Sequence, residues 1–177
     1  MTTATVPEPT TAPLVGERAD LVETLRKHRS FLRYTAQRLT DEQAGLRPTA
    51  SELCIGGIIK HVTQMEEQWT RFIVEGTAAA APPEDYTAWL EAWQMLPTDT
   101  LEAILDRYAQ VAARTDALVG TLPSLDDGHP LPEAPWFEPG ARWSARRALL
   151  HIVAETAQHA GHADIVRESI DGQKTMG

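Results

Sequence analysis

Four titratable side chains fall at helical spacing in one late segment, SARRALLHIVAETAQHAGHADIVRESIDG: His151, Glu155, His159 and His162. At about 100° per residue they lie within an arc of about 80°, so a single helix face presents three imidazoles and a carboxylate. Leu149, Ile152 and Val153 flank this strip, which puts it at the edge of a core or facing into it. Burying such groups without partners is unfavourable, and a metal ion satisfies several at once. Glu155 and His159, one turn apart, can both reach one ion. His61 sits beside the apolar stripe of an earlier segment and completes a His2Glu set if the two helices pack side by side. That donor set suits zinc and other borderline divalent metals, and three protein ligands leave a position open for water or substrate. The competing reading of the same residues is structural: a hydrogen-bonded core histidine at 61, and a surface Glu–His pair worth roughly a few tenths of a kcal/mol. The sequence contains neither the HExxH motif of zinc proteases nor the paired Glu-x-x-His motifs of di-iron bundles.

Four long segments carry apolar residues at helical spacing and must position these groups. The first spans about residues 15–38, with Leu21, Leu25 and Leu32 in register. The second spans about 53–75, where Ile58, Val62, Met65, Trp69 and Phe72 form a stripe and Gly76 is a stop. Its Gly56-Gly57 pair lowers helix propensity and suggests that another helix approaches closely there. The third spans about 100–122, with Asp99 and Glu102 fitting a capping box. The fourth starts after Ser144, a good N-cap, and runs to about residue 170, before Asp171-Gly172. Residues 1–13 read as a frayed tail and 14–177 as one domain. Gly45 and Pro48 mark 39–52 as a connection, and 77–97 has room for a short extra helix holding Trp89 and Trp93. The Pro-rich stretch 123–143 is long for a bundle connection, so it crosses an end or shapes a pocket. No β-alternating run is evident. The expected fold is an all-α four-helix bundle with long crossover connections.

Composition narrows the function. A formal net charge of −9 disfavours sequence-independent binding to nucleic acid or to anionic membranes. Cys54 is the single cysteine, which excludes an internal disulfide and a cysteine-based zinc site. The opening MTTATVPEPTTAPLVG lacks the pattern of a signal peptide, and no stretch is long enough to span a bilayer, so the expected location is cytoplasmic.

The segments HIVAETAQHAGHADIVRESIDG and IGGIIKHVTQMEEQW strongly resemble the DinB-like superfamily, in the branch that includes mycothiol-dependent enzymes. The similarity extends to LTDEQAGLRPTASE and PWFEPGARWSARRALLH, and so covers most of residues 15–172. The resemblance implies a four-helix bundle holding a divalent metal through His61, Glu155 and His159. Zinc is the first expectation, with nickel, iron or manganese able to occupy such a site. Many members have histidine where this chain has Glu155; the mycothiol-dependent maleylpyruvate isomerases resemble it in having glutamate. The implied chemistry is attack on an electrophilic carbon by a low-molecular-weight thiol, mycothiol as the resemblance implies, ionised by the metal. The sequence ends shortly after helix four, where those isomerases continue into a further domain. A thiol S-transferase acting on electrophiles is therefore expected rather than an isomerase.

Around the triad, His162 is the candidate catalytic proton carrier or support for a ligand, against a purely structural hydrogen bond. His151 reads as structural. Trp136, in the Pro-rich crossover, and Arg147 are the candidates for holding the thiol or another anionic small molecule. Surface ion pairing is the favoured role for Arg146, Arg147 and Arg167 over binding an anionic substrate, and core packing for Trp69, with Trp143 a further pocket candidate. Cys54 reads as a small buried residue rather than a nucleophile. The rival function is a non-catalytic metal- or small-molecule-binding stress protein. A role in acting on DNA is disfavoured by the charge. Homodimerisation through exposed apolar helix faces is compatible with the sequence but not specified by it.

Overall fold

In the computed structural model the described residues are 13–81 and 86–175. The expected tail therefore lies outside the described residues, apart from Pro13. Four long helices form the body: α1 (Glu17–Thr35), α3 (Ile55–Glu75), α5 (Leu101–Thr121) and α6 (Ala145–Asp171). Two short helices, α2 (Asp41–Gly45) and α4 (Tyr86–Glu91), sit in the connections, and a 3-10 turn covers Thr77–Ala80. The long helices lie close to the ranges that periodicity predicts. Each buries the stripe that defined it, and Leu25, Leu32, Ile58, Val62, Leu149 and Ile152 meet in one core.

Contacts between side chains fix the helix directions. Glu17 meets Arg146 and Thr35 meets Arg167, so α1 and α6 run parallel. Arg18 caps the carbonyls of Val119 and Leu122 while Arg33 reaches Leu105, so α5 runs antiparallel to α1. His61 faces His159 and Trp69 faces His151, so α3 runs antiparallel to α6. Helix α3 is thus parallel to the next long helix, α5, and the connection 76–100 has to travel the length of the bundle. The connection 122–144 crosses one end, as its length predicts.

Three local features depart from the sequence reading. Thr100, not Asp99, caps α5, its hydroxyl accepting from the Ala103 N–H at 3.2 Å. Asp99 instead accepts from the Leu96 N–H and from the Lys60 ammonium at 2.6 Å. The Pro-rich crossover holds a two-stranded antiparallel ribbon, β1 (Gly128–Pro130) with β2 (Arg142–Ser144), too short to show alternation in sequence. Helix α4 contains Trp89 but ends before Trp93, which lies in the following turn.

An ion pair lies inside the bundle core. Glu66, on the buried face of α3, is 0% exposed and Arg29 of α1 is 4% exposed. Arg29 makes a fork to both Glu66 oxygens and a further bond to Asp116 at 2.7 Å, while the Thr115 hydroxyl donates to Glu66 at 2.5 Å. These bonds tie α1, α3 and α5 together. Removing one partner of such a pair leaves an uncompensated buried charge. We expect Arg29→Met to lose about 3–5 kcal/mol of unfolding free energy in urea titration, and the double variant Arg29→Met/Glu66→Leu to regain most of it. A loss below about 1 kcal/mol in the single variant would place it in the range of an exposed pair instead.

Candidate metal centre

Two helix N-termini set the phase of the site. The Cys54 thiol caps α3, accepting from the Gly57 N–H at 3.4 Å, and Ser144 caps α6, accepting from the Arg147 N–H at 3.2 Å. Cys54 is buried, consistent with its reading as a small core residue. With α3 and α6 antiparallel, His61 comes opposite His159 and Trp69 comes opposite His151. The strip on α6 and one edge of α3 therefore line a common seam.

At one end of this seam, ligand atoms of His61, Glu155 and His159 all lie within 4.8 Å of one another. The His159 Nε2 is 3.5 Å from a Glu155 oxygen, and the His61 and His159 rings meet edge to face at 4.8 Å. His159 is buried, and the other two are half-buried. His162 lies one turn beyond, its Nδ1 3.4 Å from the His159 Nδ1. In the metal-free protein Nε2 can donate to Glu155; were an ion to take the Nε2 lone pair, the His159 proton would sit on Nδ1, where it can be directed at His162. This is the outer hydrogen bond that fixes the tautomer of a ligating histidine.

The electrostatics suit a cation. Burial pushes the His61 imidazole down to about 4, helped by nearby His159 and opposed by Glu155. It is therefore neutral near pH 7, with a free lone pair. The hydrogen bond from His159 holds the Glu155 carboxyl below its usual range against the opposing effect of burial. Two imidazoles and an ionised carboxylate carry net negative charge into a partly desolvated seam. A divalent ion compensates that charge and matches the zinc donor set, so these residues fit such a group.

Trp93 is the neighbour that sequence reading missed. Its ring stacks on His61 at 3.6 Å between centroids, with the planes 17° apart, and meets His159 edge to face at 5.4 Å. Two features of α3 hold it there. A Cβ on Gly57 would lie 2.0 Å from the Trp93 carbonyl oxygen, so only glycine admits this chain segment. The Lys60 ammonium reaches the Glu91 and Gln94 carbonyls on either side, as well as Asp99. The glycine pair signals a close approach, but what approaches is a turn and not a helix.

The other end of the seam is aromatic. Trp69 is core, as expected, and stacks on Trp143 at 4.6 Å, and His151 sits edge-on to both indoles. Burial lowers the His151 pKa, with Glu155 opposing. The Arg147 guanidinium lies 4.1 Å over the Trp143 ring. Trp136 is 69% exposed and reaches this group through Phe137. Arg146 pairs with Glu17 and Asp126 at the surface. Arg167, expected at the surface, is instead buried, binding the Thr35 and Gln37 carbonyls and Asp171. Beside the His61–Glu155–His159 cluster, a cleft of about 420 Å³ opens between α3 and the 3-10 turn, with His61, Gln64, Met65 and Gln68 in its wall.

The lowered His61 pKa has a consequence for the metal-free protein. The folded state binds this proton less readily than the unfolded chain, whose histidines titrate near the ordinary 6.5. The stability His61 contributes is therefore present above pH 6.5 and is lost as pH falls toward 4, at up to about 1.4 kcal/mol per pH unit. His151 adds in the same direction. We expect chelator-treated protein to lose stability across this window in denaturant titrations, and His61→Phe to reduce the slope. An unchanged slope in the variant would assign the loss to other groups.

The sequence model of the family described as Mycothiol-S-transferase matches residues 20–172. Among solved structures, the chain is similar to one titled "Crystal structure of the conserved protein of locus from Enterococcus faecalis". The TM-score is 0.69 at 14% identity, covering 90% of this chain and 100% of that one, which establishes a shared fold. No curated protein matches. Because the family match spans most of the chain, including both helices of the seam, this protein belongs to the mycothiol S-transferase family of the DinB-like superfamily.

Proposed function

We propose that residues 14–177 form a cytoplasmic, metal-dependent S-transferase that joins a low-molecular-weight thiol, mycothiol, to electrophilic small molecules. The convergence of His61, Glu155 and His159 beside an open cleft is the observation that carries this reading. These three residues would hold the ion, most simply zinc, with nickel, iron or manganese as alternatives. A divalent ion so held favours the thiolate form of a thiol near neutral pH.

The chain's own residues account for the rest. Glu155 would balance the ion's charge, and His162 would accept a hydrogen bond from the His159 Nδ1–H, leaving Nε2 as the ligand atom. Trp93 covers one face of His61 and excludes water from that side. Arg147, over Trp143, offers a cation to an anionic portion of a substrate, and Trp136 an exposed apolar ring. In the reaction the sulfur electron pair forms the S–C bond, the leaving group departs with its own pair, and the thiol proton passes to solvent. No described helix is long and apolar enough to cross a membrane.

Mixing metal-loaded protein with mycothiol and monochlorobimane tests the proposal. Conjugation should fall by at least about 100-fold in His61→Ala and His159→Ala, and by about 10-fold in His162→Ala, where a supporting hydrogen bond is lost. Equal rates in wild type and the triad variants would leave a metal- or ligand-binding protein without this activity.

A further inference from the structure

The outer face of α6 is apolar although the bundle does not cover it. Leu150, Ala154, Ala157, Gly161 and Ile165 recur every three or four residues and fall within an arc of about 80°. This arc lies opposite the buried residues Ile152, His159 and Val166. Leu150 is 47% exposed and Ile165 61% exposed, and among the described residues no other long helix carries two exposed large apolar side chains. No charged residue interrupts the row over about 22 Å of helix. The outward faces of the neighbouring helices are of the ordinary charged kind, with Glu23 and Lys27 on α1 and Asp106 and Arg107 on α5.

Gly161 is an independent sign that something packs here. Glycine weakens a helix interior relative to alanine. At Gly57 the missing side chain admits the Trp93 segment, but at Gly161 no atom of another segment lies within 4 Å of where a Cβ would be. The close approach that this glycine permits is to a surface outside the chain. The ends of the row carry opposite charge. Arg147 stands one turn before Leu150 and Glu168 one turn after Ile165, both exposed and both on the same arc. Arg147 rests on the Trp143 ring and has no carboxylate partner among the described residues. A row that is positive at one end, negative at the other and neutral between is complementary to itself when reversed. A two-fold axis between Ala157 and Gln158 brings Leu150 to Ile165 of a second copy, Ala154 to Gly161, and Arg147 to Glu168, each pairing occurring twice.

We propose that this face of α6 is a homodimer interface, on which a second copy of the chain packs its own α6 antiparallel. Ala154 and Gly161 set the closest approach, and an Arg147–Glu168 pair closes each end. A guanidinium has five donors, so Arg147 can bond Glu168 of the second copy and still face the aromatic end of the seam. Glu155 and His159 lie toward the opposite side of α6, so the pairing does not use them.

Sedimentation velocity of the untagged full chain tests the proposal. Wild type should sediment as a dimer of the 19.5 kDa chain. Ala154→Glu puts unpaired carboxylates into the contact and should raise the dissociation constant at least about 100-fold. Its helical circular dichroism should not change, because position 154 is exposed in a single copy. Arg147→Glu and Glu168→Arg should each weaken the dimer by about 10-fold, and combining them should restore it to within about three-fold of wild type. Ala157→Cys lies next to its own copy across the axis and should form an intermolecular disulfide under mild oxidation, whereas Ala109→Cys on the exposed face of α5 should not. Cys54 is buried and does not compete. A wild type that stays monomeric up to about 100 μM would overturn the proposal. So would a dimer that Ala154→Glu leaves intact, a double charge reversal that does not regain affinity, or cross-linking at position 109 rather than 157.

Discussion

Two helices can share a ligand site only if they hold one register, because each turn returns a side chain to the same face after about 5.4 Å. In this bundle the register is that of α3 against α6. It sets His61 opposite His159 and Trp69 opposite His151, so one seam carries imidazoles at one end and stacked indoles at the other. A shift by one turn would face His61 with Glu155 or His162 and break the cluster. The core next to the seam supports this alignment. Thr156, adjacent to Glu155, packs beside the Tyr108 hydroxyl, close to the buried Glu66 that Arg29 and Thr115 hold. The polar groups inside the bundle and the titratable groups at its edge are therefore parts of one packing arrangement.

The long connections follow from the same geometry. With α3 and α5 parallel, the chain has to return along the bundle before α5 begins, and this return brings Trp93 onto His61. Gly57 makes room for it and Lys60 ties down the flanking carbonyls. The connection 122–144 crosses the end of the bundle and supplies Phe137 and Trp143 to the aromatic end of the seam. Topology thus places a cover at each end of the seam and leaves the cleft along α3 as the opening.

The long helices and the Glu155–His159 spacing were legible in the sequence because both depend on local periodicity. The pairing of His61 with them needed the additional premise that the second and fourth long helices are neighbours, which the family resemblance supplied. Trp93 was not legible: its partner is over thirty residues away, and nothing local distinguishes a stacking tryptophan from a core one. The ion pair had a faint signal, an acidic residue at position 66 between Val62 and Trp69 on a buried stripe. Its partner Arg29, on α1, looks like any surface cation in sequence. Asp99 and Thr100 compete for the same cap, and the bond from Lys60 to Asp99 settles the choice through a tertiary contact. The ribbon at Gly128–Pro130 is three residues long, below the length at which alternation can be read.

The central claim is that the seam is built around a divalent ion. Elemental analysis of untagged wild-type protein, beside the Glu155→Ala variant, measures it most directly. The account predicts about one divalent metal per chain in the wild type and a large loss in the variant, because removing the carboxylate leaves two neutral imidazoles to hold the charge. No metal in either protein, after attempted reloading with zinc, would contradict it and make the His–Glu strip a structural feature of the bundle.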